Sequence, residues 1–350
     1  MGLSSYIWSS VPFVAMITVE CTDVGISVIS KAALSKGMSN IVSVVYYNAL
    51  GTLILLPYFI FCRNKQASLT LSLLWRFFLL GLIGSSGQMV YLTGVKFSSP
   101  TLSSALANLI PIFTFFLAVI FRMEELEIRK RSSQAKVLGA IVAVTGAFVA
   151  TLYKGPPVLI NSSSPSNFLQ QPLFSQQTRW IIGGFLILLV CFSSATWNVL
   201  QTATVKEYPD KMTIVFFFTF FITIQSLVFS VILERNPSAW TLKSTEEVAA
   251  ILCTAIFGSL FRIAIHTWCL QKKGPVYVAM FKPLGIPVSS LLTVTFLAES
   301  IFLGRVIGSV IILVGFYTVI WGQSKEKMVL ENEASRLESS HPKAPLLHDV

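Results

Sequence analysis

Charged side chains are scarce in this sequence. They account for 12% of its residues, whereas hydrophobic residues account for 54%. A soluble domain of ordinary composition has about 25% charged residues. This shortage excludes an ordinary soluble protein and predicts that most of the chain lies in a lipid bilayer.

The sequence also lacks the patterns of a disulfide framework, a metal site or a catalytic centre. Its five cysteines all lie in or at the ends of apolar runs, and none forms a CxxC pair. No HExxH, GxSxG or paired-aspartate motif is present. We therefore expect no metal, no cofactor and no enzyme. An intramembrane enzyme that uses His266 with a carboxylate is an alternative that no motif supports.

A net charge of +10 raises the question of nucleic-acid binding. The basic residues fall in short loops between apolar runs, which is the pattern of membrane topology. Because no basic patch contains interleaved aromatic residues, we expect no nucleic-acid partner. The N-terminus lacks a basic segment, and no small-residue cleavage site follows the first apolar run. We therefore interpret that run as a retained anchor.

Ten apolar runs are each close to the ~20 residues that a membrane-spanning helix needs. They are 12–30, 41–62, 74–94, 102–121, 137–153, 180–200, 213–233, 249–270, 276–298 and 304–321. After the last run, residues 322–350 are rich in serine, glutamate and lysine, which predicts a disordered tail.

Lysines and arginines in and beside the loops indicate the orientation of the chain. Fourteen of them lie on the side that holds both termini, and eight lie on the opposite side. Because cytoplasmic loops carry the excess of basic residues, both termini are predicted to be cytoplasmic. The long loop 154–179 then lies on the other side, and its sequon at Asn161 agrees with that placement.

The two halves of the chain resemble each other. One apolar run opens at Pro100 and ends at Glu124, and another opens at Pro275 and ends at Glu299. The segment KVLGAIVAVTG, which starts at residue 136, likewise matches RVIGSVIILVG, which starts at residue 305. The glycines in these segments are expected to permit close helix packing.

Each repeat holds five spans, and an odd number makes the second repeat enter the membrane from the opposite side. We therefore predict an all-α integral membrane protein with ten transmembrane helices in a 5+5 inverted repeat. The predicted parts are a first repeat at 1–153, a non-cytoplasmic loop at 154–179, a second repeat at 180–321 and a disordered cytoplasmic tail at 322–350.

These repeats and the stretches SPTLSSALANLIPIFTFFLAVIFRMEEL, KGPVYVAMFKPL and AESIFLG resemble the plant-type EamA members of the drug/metabolite transporter superfamily. More narrowly, the chain is similar to the Walls Are Thin-related proteins, also called usually-multiple-acids-move-in-and-out transporters. The resemblance covers residues 12–321. It implies a multi-pass transporter, facilitative or proton-linked, in a plant membrane. Its members are associated with amino acids or with auxin, so the resemblance does not fix the substrate.

The segment 275–298 is long enough to span a bilayer, yet it contains Lys282, Pro283 and Pro287. A lysine in hydrocarbon costs about 2.5–3.5 kcal/mol on insertion scales, and each proline removes a helix donor. A helix with a charge and a break near mid-membrane usually lines a cavity. We therefore predict that Lys282 binds substrate. In the alternative, the lysine snorkels to the interface and the prolines only kink the helix.

Glu20 and Asp23 lie three residues apart in the first run, so they share one face of a helix. Two neighbouring carboxylates favour the binding of a proton by one of them, and they also suit a substrate ammonium group. We therefore count both as substrate-binding and as proton-coupling candidates. In the alternative, one of them only pairs with Lys31 or with a cation on a neighbouring helix.

Arg262 and His266 lie four residues apart in the eighth run, again on one face. Arg262 is suited to hold a substrate carboxylate through two parallel hydrogen bonds. An ion pair with Glu20 or Asp23 is an equally good interpretation. His266 is a third candidate for proton coupling, although we favour the interpretation that it only satisfies a neighbouring group.

Neutral polar residues also occur inside runs of both halves, namely Gln88, Asn108, Trp197, Asn198 and Gln201. Each of them singly is best explained by a hydrogen bond to another helix, which is worth about 0.6 kcal/mol on average. As a group drawn from both repeats, they predict a polar central pocket. We therefore count all five as candidates for substrate binding.

These patterns predict a secondary transporter of small organic solutes, best assigned to amino acids, that works by alternating access. Lys282 and Arg262 would bind the substrate carboxylate, and Glu20 or Asp23 would bind its amino group or a coupling proton. Auxin or another organic acid is the alternative substrate. A non-transporting membrane receptor or scaffold is the alternative class. The expected partners are a small molecule and the lipid bilayer, in the plasma membrane or, alternatively, the vacuolar membrane.

Overall fold

A computed structural model of the chain describes residues 3–35, 37–62, 70–98, 100–124, 129–153, 155–159, 174–208, 210–242, 244–297 and 301–340. Its α-helices are α1 (Leu3–Ser35), α2 (Asn40–Cys62), α3 (Leu71–Phe97), α4 (Pro100–Ala107), α5 (Ile110–Ile120), α6 (Arg131–Leu152), α7 (Phe174–Glu207), α8 (Lys211–Leu233), α9 (Thr245–Cys253), α10 (Arg262–Lys273), α11 (Pro275–Met280), α12 (Gly285–Leu297) and α13 (Leu303–Ser340).

Within the described residues, ten helical segments are long and apolar enough to cross a membrane, as the ten apolar runs predict. Seven spans are single helices. The fourth consists of α4 and α5, and the ninth consists of α11 and α12 joined by a 3-10 turn at Lys282–Leu284. In the eighth, a π-helical segment at Thr254–Phe261 joins α9 to α10. The predicted fold class is therefore confirmed.

The fourth and ninth spans are broken at equivalent places in the two repeats. α4 begins at Pro100 and α11 at Pro275, and each ends within about two turns. The sequence predicts the ninth-span break, because Pro283 has no N–H to donate. It does not predict the fourth-span break, where the Asn108 side chain donates to the carbonyls of Ser104 and Ala105 at 2.6 and 3.4 Å.

Contacts between the helices follow the pattern of a two-fold inverted repeat. α2 packs on α8, α5 on α11 and α6 on α13, so three spans of the first half each contact their own counterpart. Other contacts come in equivalent pairs. The third span packs on the sixth (α3 on α7), and their counterparts, the eighth and the first, also pack together (α10 on α1). The fourth span likewise packs on the sixth (α5 on α7), and its counterpart, the ninth, packs on the first (α12 on α1). This symmetry agrees with the 5+5 repeat that the sequence predicts.

Helices α6 and α13 pack at backbone distance because glycines lie where they cross. A Cβ atom on Gly308 would lie 2.4 Å from the backbone nitrogen of Ala150. A Cβ on Gly139 would lie 2.7 Å from the Gly315 carbonyl oxygen, and one on Gly146 would lie 2.9 Å from that of Gly308. Because no side chain fits there, these repeat-matched glycines allow the two halves to join along this seam.

We call the end of the bundle that carries Glu124, Glu207 and Glu326 the tail end, and the end that carries Gly37 and Trp240 the far end. At the tail end, the Lys136 side chain is completely buried. Its Nζ donates to Glu124 Oε2 at 2.9 Å and to Glu326 Oε2 at 2.6 Å. One cation and two carboxylates thus tie the segment after α5 to α6 and α13, across both halves.

Glu124 at the tail end is expected to make the stability of the protein depend on pH. Burial raises the pKa of the Glu124 carboxyl above its ordinary value of 4.5, although Lys136 opposes this shift. A group whose pKa is higher in the folded state than in the unfolded state binds its proton more tightly when the protein is folded. Its contribution to stability is fully present below the unfolded-state pKa and is lost as the pH rises through the folded-state pKa. We therefore expect the melting temperature of detergent-solubilised protein to rise as pH falls from neutral towards 4.5, and Glu124→Gln to lose part of that rise.

The matched control is Glu246→Gln, which changes an exposed glutamate in the first turn of α9 at the far end. This variant should keep the full pH dependence of the melting temperature. If Glu124→Gln also keeps all of it, the protonation of Glu124 is not coupled to folding.

Two details depart from the sequence expectations. A short antiparallel pair, β1 (Pro157–Leu159) with β2 (Ile301–Phe302), interrupts the otherwise helical chain at the far end. The helix α13 continues to Ser340 through good helix formers such as glutamate, lysine and leucine, whereas the sequence predicts disorder from residue 322 onwards. Residues 341–350 and the sequon at Asn161 lie outside the described residues.

Candidate functional site

A cavity of about 310 Å³ lies inside the bundle. Eight of the ten spans contribute to its lining, and only the fifth and tenth, which form the tight glycine seam, do not. Its volume is at the lower end of the range that is usual for small-molecule sites, about 300–1,000 Å³. A single internal site built by both repeats is the arrangement expected in inverted-repeat transporters.

Lys282 enters this cavity from the break in the ninth span. Its side chain is exposed to the cavity, whereas its neighbours Phe281 and Pro283 are buried. The 3-10 turn at Lys282–Leu284 allows adjacent residues to take these opposite directions. The lysine therefore faces the cavity rather than snorkelling to the interface.

Glu20 reaches the same break from α1. Its side chain is buried and lines the cavity, and its charge interacts with that of Lys282. The space for its carboxylate depends on Gly285, the first residue of α12, because a Cβ at that position would lie 3.2 Å from Glu20 Oε2. The helix break thus positions a cation and an anion together.

Gly285 provides a test of this arrangement. Gly285→Ala should push the Glu20 carboxylate by a few tenths of an ångström and lower substrate uptake by about tenfold, since small misplacements at a binding site carry large effects. The check is the ratio of maximal rate to KM in reconstituted vesicles. Gly25→Ala is the matched control, because a Cβ there would have no atom within 4 Å. Equal uptake by both variants would contradict the role given to Gly285.

Arg262 follows the π-helical segment of the eighth span and also lines the cavity. Its Nε donates to the Gly258 carbonyl oxygen at 2.7 Å and lies 3.8 Å from Asp23 Oδ1. The ion pair with Asp23, which was the alternative interpretation from sequence, is therefore present. A π-helical segment inside a helix frequently occurs at functional sites, and here it sets the position of the guanidinium group.

The cavity brings together most of the residues that the sequence analysis singled out. Eight of the ten candidates line it, namely Glu20, Asp23, Gln88, Trp197, Asn198, Arg262, His266 and Lys282. They come from both repeats, as the prediction of a polar central pocket requires. The two cations and the two carboxylates among them also balance in formal charge.

The other two candidates, Asn108 and Gln201, do not line this cavity, so the prediction that they bind substrate is wrong. The amide of Asn108 caps the carbonyls at the end of α4 and does not line the cavity. Gln201 is fully buried between α7 and α10, where its Nε2 donates to Thr267 Oγ1 at 3.1 Å. Both amides follow the ordinary rule that a polar group in a span bonds a neighbouring backbone or helix.

Sequence reasoning missed several lining residues, of which Tyr47, Asn48, Tyr91, Phe218 and Ser259 are the most informative. Asn48 had a usable signal, because it is the only amide in the interior of the second span. Phe218 belongs to the aromatic run at 216–221, a pattern that in sequence is typical of a lipid or packing face. It packs edge-on against Trp197, with ring centroids 5.5 Å apart.

A second cavity of about 240 Å³ adjoins the first on its far-end side. Tyr47, Gln88 and Tyr91 line both cavities, and the outer one is lined by uncharged residues that include Asn40 and Thr254. We call this second cavity the vestibule. It extends the internal space from the charged centre towards the far end.

The tail-end side of the cavity is packed. Phe281 lies in an aromatic cluster with Phe13, Tyr277 and Phe316, and its ring centroid is 5.9, 5.1 and 4.9 Å from theirs. Beyond this cluster lie the ion cluster of Lys136 and the pair between Arg76 and Glu207. The structure thus has a second cavity on the far-end side of Lys282 and a packed aromatic cluster on the tail-end side.

Ten spans in an inverted repeat around a charged internal cavity define a membrane transport protein with the drug/metabolite transporter fold. Residues 3–152 and 181–321 match the EamA-like transporter family. The chain belongs to this family of membrane transporters for small solutes.

Individual relatives agree with this assignment. The chain is 44% identical over 340 residues to WAT1-related protein At5g40240 of Arabidopsis thaliana, covering 95% of this chain and 92% of the relative. It is 40% identical over 351 residues to WAT1-related protein At3g28050 of the same plant, covering 96% and 95%. The resemblance found in the sequence is therefore confirmed.

The fold is also found in a solved crystal structure that is only 15% identical to this chain. The TM-score is 0.65, and the match covers 90% of this chain and 98% of the other. At that identity, the likeness shows a shared fold and leaves the substrate open.

Proposed function

We propose that this protein transports amino acids across the membrane by alternating access. The observation that carries the proposal is the pairing of opposite charges inside one cavity, with Lys282 beside Glu20 and Arg262 beside Asp23. A zwitterion has a carboxylate for one of these cations and an ammonium group for one of these carboxylates. Its net charge of zero leaves the charge balance of the cavity unchanged.

The proposed roles follow from these pairs. Lys282 binds the substrate carboxylate, with Arg262 as a second cation held nearby by Gly258 and Asp23. Glu20 or Asp23 binds the ammonium group. When the substrate is absent, a carboxylate at either position is suited to carry a coupling proton, and His266 is a further candidate.

The proposed transport cycle depends on orientation. With both termini in the cytoplasm, as the basic loops predict, the vestibule lies on the outer side of the charged centre and the aromatic cluster lies on its cytoplasmic side. This arrangement corresponds to an outward-facing state. The inward-facing state would require Phe281 and its aromatic neighbours to separate while the vestibule closes.

Auxin, or another organic acid, is the second candidate. The aromatic lining from Tyr47, Trp197 and Phe218 favours a flat apolar body. A lone carboxylate, however, provides no positive group for Glu20 and Asp23. Such a substrate fits best if a proton neutralises one of the two, which makes its uptake dependent on a pH gradient.

Purified protein in proteoliposomes separates these candidates. Labelled neutral amino acids should enter the vesicles, and unlabelled amino acid should compete with them. Auxin uptake without amino-acid uptake would replace the proposed substrate with the alternative. Failure to move either solute, with and without a pH gradient, would favour a receptor or scaffold.

A further inference from the structure

The cavity contains polar atoms that the charged groups do not use. Asn48 Nδ2 and Ser259 Oγ are both buried, both belong to residues that line the cavity, and neither has a hydrogen-bond partner among the described residues. The two residues are only 2% exposed. A buried donor left unpaired is costly, so such atoms point to a ligand or water that satisfies them.

These two atoms belong to one wall of the cavity. A Cβ on Gly51, one turn after Asn48 in α2, would lie 3.3 Å from Ser259 Oγ. The second span and the π-helical segment therefore pack closely at this level. We call Asn48 and Ser259 together the amide wall.

The amide wall lies between the charged centre and the vestibule. The eighth span runs from the far end at α9 to the tail end at α10, so Ser259 lies about one turn nearer the far end than Arg262. Tyr47, the neighbour of Asn48, lines both the cavity and the vestibule. A zwitterion held at Lys282 and Glu20 would extend its side chain towards this wall.

On the basis of the proposed function, we infer that the amide wall selects amino acids whose neutral side chain carries a hydrogen-bond acceptor, such as a carboxamide. Asn48 Nδ2 can only donate a hydrogen bond, so it suits the carbonyl oxygen of a carboxamide. Ser259 Oγ can donate or accept, so it can accept from the NH2 group of the same carboxamide. The balanced charge at the other end of the cavity disfavours an additional charged group. An apolar side chain of the same length would leave both atoms unpaired.

The test compares the uptake of labelled glutamine, leucine and glutamate by proteoliposomes. The wild-type protein should take up glutamine at least about tenfold more efficiently than leucine or glutamate, because a site with buried polar groups rejects analogues that leave them unpaired. Asn48→Leu should lower glutamine uptake about tenfold and leave leucine uptake unchanged or higher. The ratio of glutamine uptake to leucine uptake should therefore fall to about one.

Thr52→Val is the matched control. Thr52 lies one turn after Asn48 on α2 and bonds the Asn48 carbonyl and Thr223, outside the cavity lining. This variant should keep the wild-type ratio. If Asn48→Leu does not fold, Ser259→Ala carries the same test, since it removes one hydroxyl and should lower the ratio of glutamine to leucine.

The outcomes distinguish this inference from the proposed function. Equal uptake of glutamine and leucine by the wild-type protein would contradict the role of the amide wall in selectivity and leave the proposal of amino-acid transport unaffected. An unchanged ratio of glutamine to leucine uptake in both Asn48→Leu and Ser259→Ala would also contradict that role. The absence of uptake for all three amino acids would overturn both proposals together.

Discussion

Replacing Lys282 with alanine is expected to abolish the uptake of carboxylated substrates while the protein still reaches the membrane in normal amount. The variant removes one of the two cations that line the cavity, and Glu20 loses its interaction with the charge of Lys282. A hydrogen bond to a charged group is worth about 1.5–3 kcal/mol. Losing the one from Lys282 to the substrate carboxylate therefore corresponds to a loss of about 10- to 100-fold in binding.

The measurement is initial uptake by proteoliposomes that contain equal amounts of folded protein. Lys96→Ala is the matched control, because Lys96 is an exposed cation in the last turn of α3 and lies outside the cavity lining. This control should transport normally. Uptake by Lys282→Ala at the wild-type rate would remove Lys282 from the site.

The second large effect is expected at the tail end. Lys136→Met keeps much of the side-chain length but leaves Glu124 and Glu326 facing each other without the cation that both now contact. We expect the free energy of unfolding to fall by about 3 kcal/mol, the lower end of the range for a broken buried pair. The lower end applies because both carboxylates keep some exposure. Thermal unfolding in detergent would show this as a lower melting temperature.

A combined variant distinguishes charge from packing. Adding Glu124→Gln and Glu326→Gln to Lys136→Met removes the unpaired carboxylates and should restore much of the lost stability. Lys325→Met is the control, since it changes an exposed lysine of α13 that lies next to Glu326 in sequence and over the Trp321 ring. This change should have little effect. Failure of the combined variant to recover would indicate that Lys136 acts mainly through packing.

The sequence predicts the fold well because the bilayer imposes simple requirements. Span length, loop charge and the matched segments around Gly139 and Gly308 together specify ten helices in two opposed repeats. The helix break at Lys282 is also visible in sequence, because a charge followed by Pro283 cannot continue an ordinary lipid-facing helix. Each of these features is read from one segment of the sequence, so predicting the fold does not require knowing how the helices pack.

The site is only partly predictable, because the lining of a cavity depends on how each helix is rotated against its neighbours. Asn108 and Asn48 look alike in sequence, as single amides within apolar spans. Asn108 bonds carbonyls that a helix break leaves free, whereas Asn48 lines the cavity and its Nδ2 has no hydrogen-bond partner in the part of the chain that the structure describes. Phe218 likewise lines the cavity while Phe220, two residues on, is exposed on the outside of the bundle. Tertiary packing decides these cases.

The central claim is that a solvent-accessible, substrate-occupied cavity lies between the two repeats. Ser194 lines this cavity, and Leu189 is exposed on the outside of the same helix, α7. In a variant whose five native cysteines are replaced, each position is changed to cysteine in turn. A charged, membrane-impermeant thiol reagent is then applied to each side of the membrane in turn.

The reagent is expected to modify Ser194→Cys, and a transported amino acid is expected to slow this reaction. Leu189→Cys is expected to stay unmodified. No modification of Ser194→Cys from either side of the membrane, or a rate that the amino acid does not change, would contradict the central claim.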